Sequence, residues 1–285
     1  LNSSDYFQVL YIGGFCRLFY FQVVWFSLCS PFFYYFYALM RHLPNLLTLA
    51  NLFCGCIAIA FTLNSQPFLA AVNGMEYWIV GTEQAYWGSI FIFAAAICDM
   101  LDGAAARALR VSSSIGADLD SLADVVSFGV APSMILFKLL WASYMSQPNA
   151  LDVSMLAMSP AFLVACFGAL RLARFNVTIS EQKSSFIGMP IPAVGVFVAF
   201  LPLINFYNPM GLGILILNKW VLYAIIALMC WLMVSKVRFI KFMPAKWQLA
   251  YFWPQAVIIV AGLAAIPVLH VAALPLAFIL YILLS

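Results

Sequence analysis

The sequence predicts an all-α polytopic membrane protein, and three observations carry that reading. Apolar residues make up 66% of the chain and charged residues only 8%, against about one quarter charged in a soluble domain. Apolar runs of about 20 residues recur, each long enough to cross a hydrocarbon core near 30 Å thick. The shorter segments of alternating polarity that mark barrel strands are absent. A net charge of +3 gives no reason to expect nucleic acid as a partner, because in such a chain the placement of charge carries the information.

Residues 1–39 form an aromatic-rich extension, with Phe32-Phe33-Tyr34-Tyr35-Phe36-Tyr37 as its densest run and no small-residue cleavage site, which fits a secretory signal poorly. Met40-Arg41-His42-Leu43-Pro44-Asn45 reads as a natural start, a basic lead followed by a Pro suited to open a helix. The extension is expected to lie upstream of the true start, the alternative being an extra membrane segment, and residues 40–285 to form a single transmembrane domain. Eight spans follow, at about 45–63, 85–102, 117–140, 154–172, 188–204, 216–235, 252–269 and 271–284. Pro267 to His270 make the last two a tight hairpin.

The distribution of Lys and Arg orients these spans. Arg41 precedes the first, Arg107 and Arg110 separate the second from the third, Arg171, Arg174 and Lys183 follow the fourth, and Lys236, Arg238, Lys241 and Lys246 follow the sixth. The loops 64–84 and 141–153 have no Lys or Arg, and 205–218 has only the bordering Lys219. The basic loops are expected in the cytoplasm. The seven Cys show no zinc spacing and sit largely in apolar runs, where Cys behaves as a small hydrophobe.

One stretch breaks the apolar pattern. Between Asp99 and Asp124 lie five of the ten carboxylates of the chain, on the cytoplasmic side by the charge count. Ionisable groups at a membrane boundary are costly and mark function by default. Asp99 and Asp102 are three apart near the end of one span, Asp120 and Asp124 four apart near the start of the next, so each pair shares a helical face. Residues 103–116, rich in Gly, Ala and Ser, read as a turn that brings the two pairs together. Four converging carboxylates need cations between them to stay ionised, and all-oxygen ligands select Mg²⁺, Mn²⁺ or Ca²⁺ over zinc. Gly103 and Ala106 leave the backbone bare for a phosphorylated ligand. Asn45, Thr48 and Asn51 lie three apart on one face; Asn45 and Thr48 are taken as ligand-binding residues. Asp118 falls off the Asp120/Asp124 face and is expected to meet water.

The pattern Asp99-x2-Asp102-Gly103-x2-Ala106-Arg107-x8-Gly116-x3-Asp120-x3-Asp124 resembles, at every fixed position, the signature of the CDP-alcohol phosphotransferases, integral membrane enzymes of phospholipid synthesis. The segments Pro44-Asn45 to Gly55, Asp120 to Pro132, Leu170-Arg171 to Asn176 and Phe186 to Pro192 are similar to one branch, the CDP-diacylglycerol–serine O-phosphatidyltransferases. The resemblance implies a six-helix core with two C-terminal transmembrane helices added, commonly a homodimer, in the cytoplasmic (inner) membrane with the active site facing the cytoplasm. It implies that Asp99, Asp102, Asp120 and Asp124 hold divalent metal, Mg²⁺ or Mn²⁺, as two ions, with Asp124 also the general base. It implies that Gly103, Ala106 and Gly116 admit the CDP moiety, with Arg107 bracing the turn, and that the substrates are CDP-diacylglycerol and L-serine among membrane lipids. Serine is a zwitterion, and Arg171, Arg174 and Asn176 are the expected residues for its carboxylate. Two rival readings remain from the residues alone: the same chemistry on glycerol 3-phosphate or inositol, and a divalent-cation transporter, which would spread its acids along a pore.

Overall fold

The computed structural model describes residues 42–64, 67–72, 75–80, 83–111, 114–146, 154–178, 186–235, 237–239 and 275. The extension 1–39 and, apart from Pro275, the expected spans 252–269 and 271–284 lie outside the described residues. Among those described, the helices Leu43–Leu63, Ala85–Leu109, Ile115–Met145 and Met155–Val177 are long and apolar enough to cross a membrane. A bent pair, Ile191–Tyr207 with Pro209–Ile216 at 109°, makes a fifth if counted as one span.

The first helix, α1 (Leu43–Leu63), starts with Pro44 in its first turn, where the missing N–H costs no helical bond. A hairpin of β1 (Pro67–Val72) and β2 (Met75–Val80) follows, paired antiparallel from Pro67↔Val80 to Val72↔Met75. Sequence reading left this stretch as loop. The signal was present: Asn73-Gly74 lies between the two strands, the dipeptide favoured in two-residue hairpin turns.

Helix α2 (Glu83–Leu109) runs seven residues beyond the expected end at 102, so residues 103–109 are helix rather than turn. Ala104, Ala105, Ala106 and Ala108 are the strongest helix formers, and their propensity outweighs the roughly 1 kcal/mol that Gly103 costs in a helix interior. The helix stops at Arg110, whose φ of 51° is left-handed. The Val111 amide donates to the Ala106 carbonyl at 3.1 Å and the Arg110 amide to Arg107 at 3.3 Å, a Schellman ending with Arg where Gly is usual. The true turn is therefore short, and α3 (Ser114–Asp124) begins at once.

Six residues in π conformation, Val125–Val130, join α3 to α4 (Ala131–Met145). Two 3₁₀ turns, Met155–Ala157 and Ser159–Phe162, lead into α5 (Leu163–Thr178). Strand β3 (Phe186–Ile187) precedes α6 (Ile191–Tyr207). Asn208, at φ 41°, ends α6 and accepts from the Gly213 amide at 2.8 Å, which fixes the bend into the short α7 (Leu212–Ile216). Helix α8 (Lys219–Val234) and β4 (Arg238–Phe239) complete the described chain. Strand β4 pairs with β3, and Gly188, at φ 78°, seats its amide on the Val237 carbonyl at 3.0 Å.

The bundle is apolar on its outer surface as well as in its core, and buries a small set of polar groups. Leu46, Phe53, Ile97 and Trp231 face outward, while Thr48, Asn51, Asp102, Asp124, Ser127 and Arg171 are buried. With lipid outside, apolar burial gives little drive, and close backbone approach through small residues takes its place. An added Cβ on Gly195 would lie 2.9 Å from Phe128, and one on Gly55 would lie 2.4 Å from Ser127 Oγ. Phe128 and Ser127 both sit on the π turn, so α1 and α6 pack directly against the segment that follows Asp124.

Candidate functional site

Two helix ends build the site. The last turns of α2 carry Asp99 and Asp102, and α3 carries Asp120 and Asp124. One carboxylate oxygen each from Asp99, Asp120 and Asp124 lies within 4.8 Å of the others. Asp102 stands near enough to Asp120 for their charges to interact, and its Oδ2 accepts from the Thr48 hydroxyl at 2.8 Å. That hydroxyl also lies 3.0 Å from the Pro44 carbonyl of its own helix. Asp118, outside this arrangement, is exposed, as its register suggested.

The donor set suits a hard divalent cation. It is all oxygen, and three carboxylates share one small volume. The Asp120 Oδ1 is buried without a hydrogen-bond partner, which is expensive unless a cation or donor faces it. Oxygen-only coordination of this kind belongs to Mg²⁺, Mn²⁺ or Ca²⁺.

Beside the carboxylates opens a cleft of about 220 Å³. Asn45, Thr48, Gly103, Ala106 and Gly116 all line it, together with Asp102 and Asp120. The extension of α2 sharpens why: Gly103 and Ala106 are separated by three positions on a helix, and their small side chains form a flat helical floor rather than a loop. Val111 and Ala117 also line the cleft, and sequence reading missed them. Arg107 is exposed, with its guanidinium folded back so that a Cβ on Gly103 would meet it at 3.3 Å. Its guanidinium therefore lies along the side of the floor.

The structure separates the three residues assigned to the acceptor. Arg171 is buried, packs over the Phe175 ring at 5.3 Å and is close enough to Asp124 for their charges to attract. Arg174 and Asn176 are exposed. Asn176 donates to Ser121 Oγ at 2.9 Å, which ties the end of α5 to α3 between Asp120 and Asp124. Ser121 was not singled out from sequence, since a Ser on an apolar helix has no distinctive spacing.

Asn51 is the clearest omission from the expected binding residues. Fully buried, it donates from Nδ2 to Asp124 Oδ1 at 3.4 Å, and its carbonyl accepts from Ser127 Oγ at 3.0 Å. The spacing of Asn45, Thr48 and Asn51 placed all three on one face. It did not reveal that Thr48 reaches Asp102 while Asn51 reaches Asp124. The π turn that carries Ser127 follows Asp124 directly, and such turns recur at functional sites.

Comparison with known proteins places the chain among named relatives. Residues 41–284 match the profile of the family described as CDP-alcohol phosphatidyltransferase. A protein of Helicobacter pylori named CDP-diacylglycerol–serine O-phosphatidyltransferase is 35% identical over 211 residues, covering 73% of this chain and 76% of its own. A Bacillus subtilis protein of the same name is 32% identical over 203 residues, 71% of this chain and 92% of its own. A third, from Methanocaldococcus jannaschii, is 43% identical over 117 residues, 41% of this chain and 51% of its own.

Proposed function

Because this chain belongs to the CDP-alcohol phosphatidyltransferase family, we propose that it transfers the phosphatidyl group of CDP-diacylglycerol to the hydroxyl of L-serine, releasing phosphatidylserine and CMP. The observation that carries the chemistry is the meeting of Asp99, Asp120 and Asp124 oxygens within 4.8 Å beside a cleft with a Gly/Ala floor. The names of the relatives supply the acceptor.

The acyl chains of the donor lie in the bilayer, and its cytidine diphosphate enters the cleft over Gly103, Ala106 and Gly116, with Asn45 and Thr48 on the facing helix. Asp99, Asp102, Asp120 and Asp124 would hold two divalent ions, Mg²⁺ or Mn²⁺. When bound, such ions neutralise the pyrophosphate and stabilise charge on the departing CMP. Asp124 accepts the proton of the serine hydroxyl. The hydroxyl oxygen bonds to the lipid-side phosphorus as the bond from that phosphorus to the CMP oxygen breaks. Arg171 offers the serine carboxylate a buried cation, with Arg174 and Asn176 as the further serine-binding residues. The site faces the cytoplasm from the inner membrane, in keeping with the basic loops on that side, and the enzyme works as a homodimer.

Two substitutions separate the donor and acceptor roles. Arg171→Gln is expected to raise KM for serine about tenfold or more, as loss of a charged hydrogen bond predicts, with KM for CDP-diacylglycerol nearly unchanged. Equal effects on both constants would remove Arg171 from the acceptor pocket. Thr48→Val keeps the shape but removes the donor to Asp102, and is expected to raise KM for CDP-diacylglycerol roughly threefold to tenfold, read by CMP release. The acceptor itself is tested by offering the purified protein serine, glycerol 3-phosphate and inositol in turn with CDP-diacylglycerol. Release of CMP with either of the last two, and none with serine, would overturn the assignment.

A further inference from the structure

Asn51 carries three features that a packing residue does not need. It is 0% exposed in the middle of α1, where an amide is costly unless satisfied. Its Nδ2 lies 3.4 Å from Asp124 Oδ1, while its own Oδ1 is buried with no hydrogen-bond partner. Its backbone carbonyl, already part of a helix, takes an additional bond from Ser127 Oγ at 3.0 Å. Ser127 is itself 0% exposed, and its Cα would lie 2.8 Å from a Cβ on Gly55. Helix α1 is thus fixed against the π turn at two consecutive levels, and Asn51 reaches from that anchor to the carboxylate immediately before the turn.

We propose that Asn51 is the positioning residue of the general base, holding Asp124 Oδ1 by its amide N–H so that the carboxylate plane is fixed with its second oxygen aimed at the acceptor hydroxyl. A carboxylate in a cluster of like charges has reason to rotate away, and a neutral donor on one oxygen fixes its plane without adding charge. A lysine or arginine there would compete with the cations that the cluster is built to hold. The unpartnered Asn51 Oδ1 is an acceptor in the same small volume, so a hydroxyl, an ammonium or a hydrated cation in the loaded site gives it its missing partner. Ser127 acts one step further out, by fixing the backbone of Asn51.

This inference rests on the reading of Asp124 as the base, and the test separates the two. Asn51→Ala and Asn51→Leu are compared with the unsubstituted protein by steady-state CMP release, by Mn²⁺ binding followed by electron paramagnetic resonance without substrates, and by thermal unfolding in detergent. Both variants are expected to lose about 10–100-fold in kcat, and Mn²⁺ affinity is expected to fall by a comparable factor, as for other groups that orient a metal-binding side chain. KM for CDP-diacylglycerol is expected to stay within about threefold. Leu restores the bulk of Asn but not its donor, so a kcat near the unsubstituted value in Asn51→Leu would reduce Asn51 to packing and overturn the proposal. Should neither variant fold, Ser127→Ala decides: a drop in kcat of about threefold to tenfold supports the proposal, and unchanged kcat and Mn²⁺ affinity overturn it. An inactive Asp124→Asn protein beside fully active Asn51 variants would refute the positioning role alone. An active Asp124→Asn protein would refute the base assignment first.

Discussion

Asp124→Asn is expected to lower CMP release by about 10³-fold or more, within the range that a positioned general base contributes, while the variant still binds CDP-diacylglycerol. The substitution keeps the side chain's size and leaves an oxygen directed at the cluster, so the donor headgroup retains its floor at Gly103, Ala106 and Gly116. What disappears is the ability to accept a proton, along with one negative charge among the carboxylates. Asn51 can still approach the new amide, although one of the two side chains must turn so that donor meets acceptor. Binding followed with radiolabelled CDP-diacylglycerol, alongside turnover, distinguishes loss of chemistry from loss of the site. Turnover within about tenfold of the unsubstituted rate would remove Asp124 from the base role.

Gly55→Ala is expected to be nearly as damaging although residue 55 touches no substrate. The new methyl would stand 2.4 Å from Ser127 Oγ and 2.8 Å from Ser127 Cα, and the second of these is backbone that has no rotamer to escape into. Overpacking of this kind costs about 1–3 kcal/mol, and relief requires α1 and the π turn to separate. That movement draws Asn51 from Asp124 and Thr48 from Asp102 together, so activity should fall about 10²-fold, as for misplacement of about 1 Å at a reacting centre. Gly129→Ala is the control. Its Cβ would meet Ala165 Cα at 3.5 Å, an ordinary contact, and this protein should keep turnover within about threefold, since no neighbour must move. Equal losses in the two variants, measured by CMP release and thermal unfolding in detergent, would show that glycine is needed throughout this packing rather than at one point.

The chemistry of the site was legible in the sequence because carboxylates in so apolar a chain have few reasons to exist, and spacings of three and four have only one helical meaning. Asp99, Asp120 and Asp124 converge as that spacing required. The length of α2 was misread for a physical reason: Gly and Ser suit turns as well as close-packed membrane helices, and the helix propensity of the four Ala beside Gly103 was given too little weight. The partner choice of Thr48 and Asn51 was beyond reach, since spacing fixes a face but not the depth at which a facing helix crosses it. Arg171 and Arg174 look equivalent in sequence, yet one is buried beside Asp124 and the other exposed, a difference set by how α5 packs against the π turn and α8. The hairpin at 67–80 was legible and overlooked, because its strands interrupt a chain otherwise dominated by helical spans.

The π turn has a further consequence, one of counting. The Ala131 amide reaches back five residues to the Val126 carbonyl, so this stretch holds one residue more than an α-helix of the same rise would. Each α-helical residue turns the chain by about 100°. Winding all six residues Val125–Val130 as regular α-helix would swing Asp120 and Asp124 by about that angle relative to Ile135 and Leu139, which face the core; the wider π turn absorbs the extra residue and keeps the two faces in step. The carboxylates are therefore aimed by arithmetic as much as by the letters that surround them. Side chains in this segment can be exchanged within the limits of packing, but its wide winding is part of the catalytic geometry.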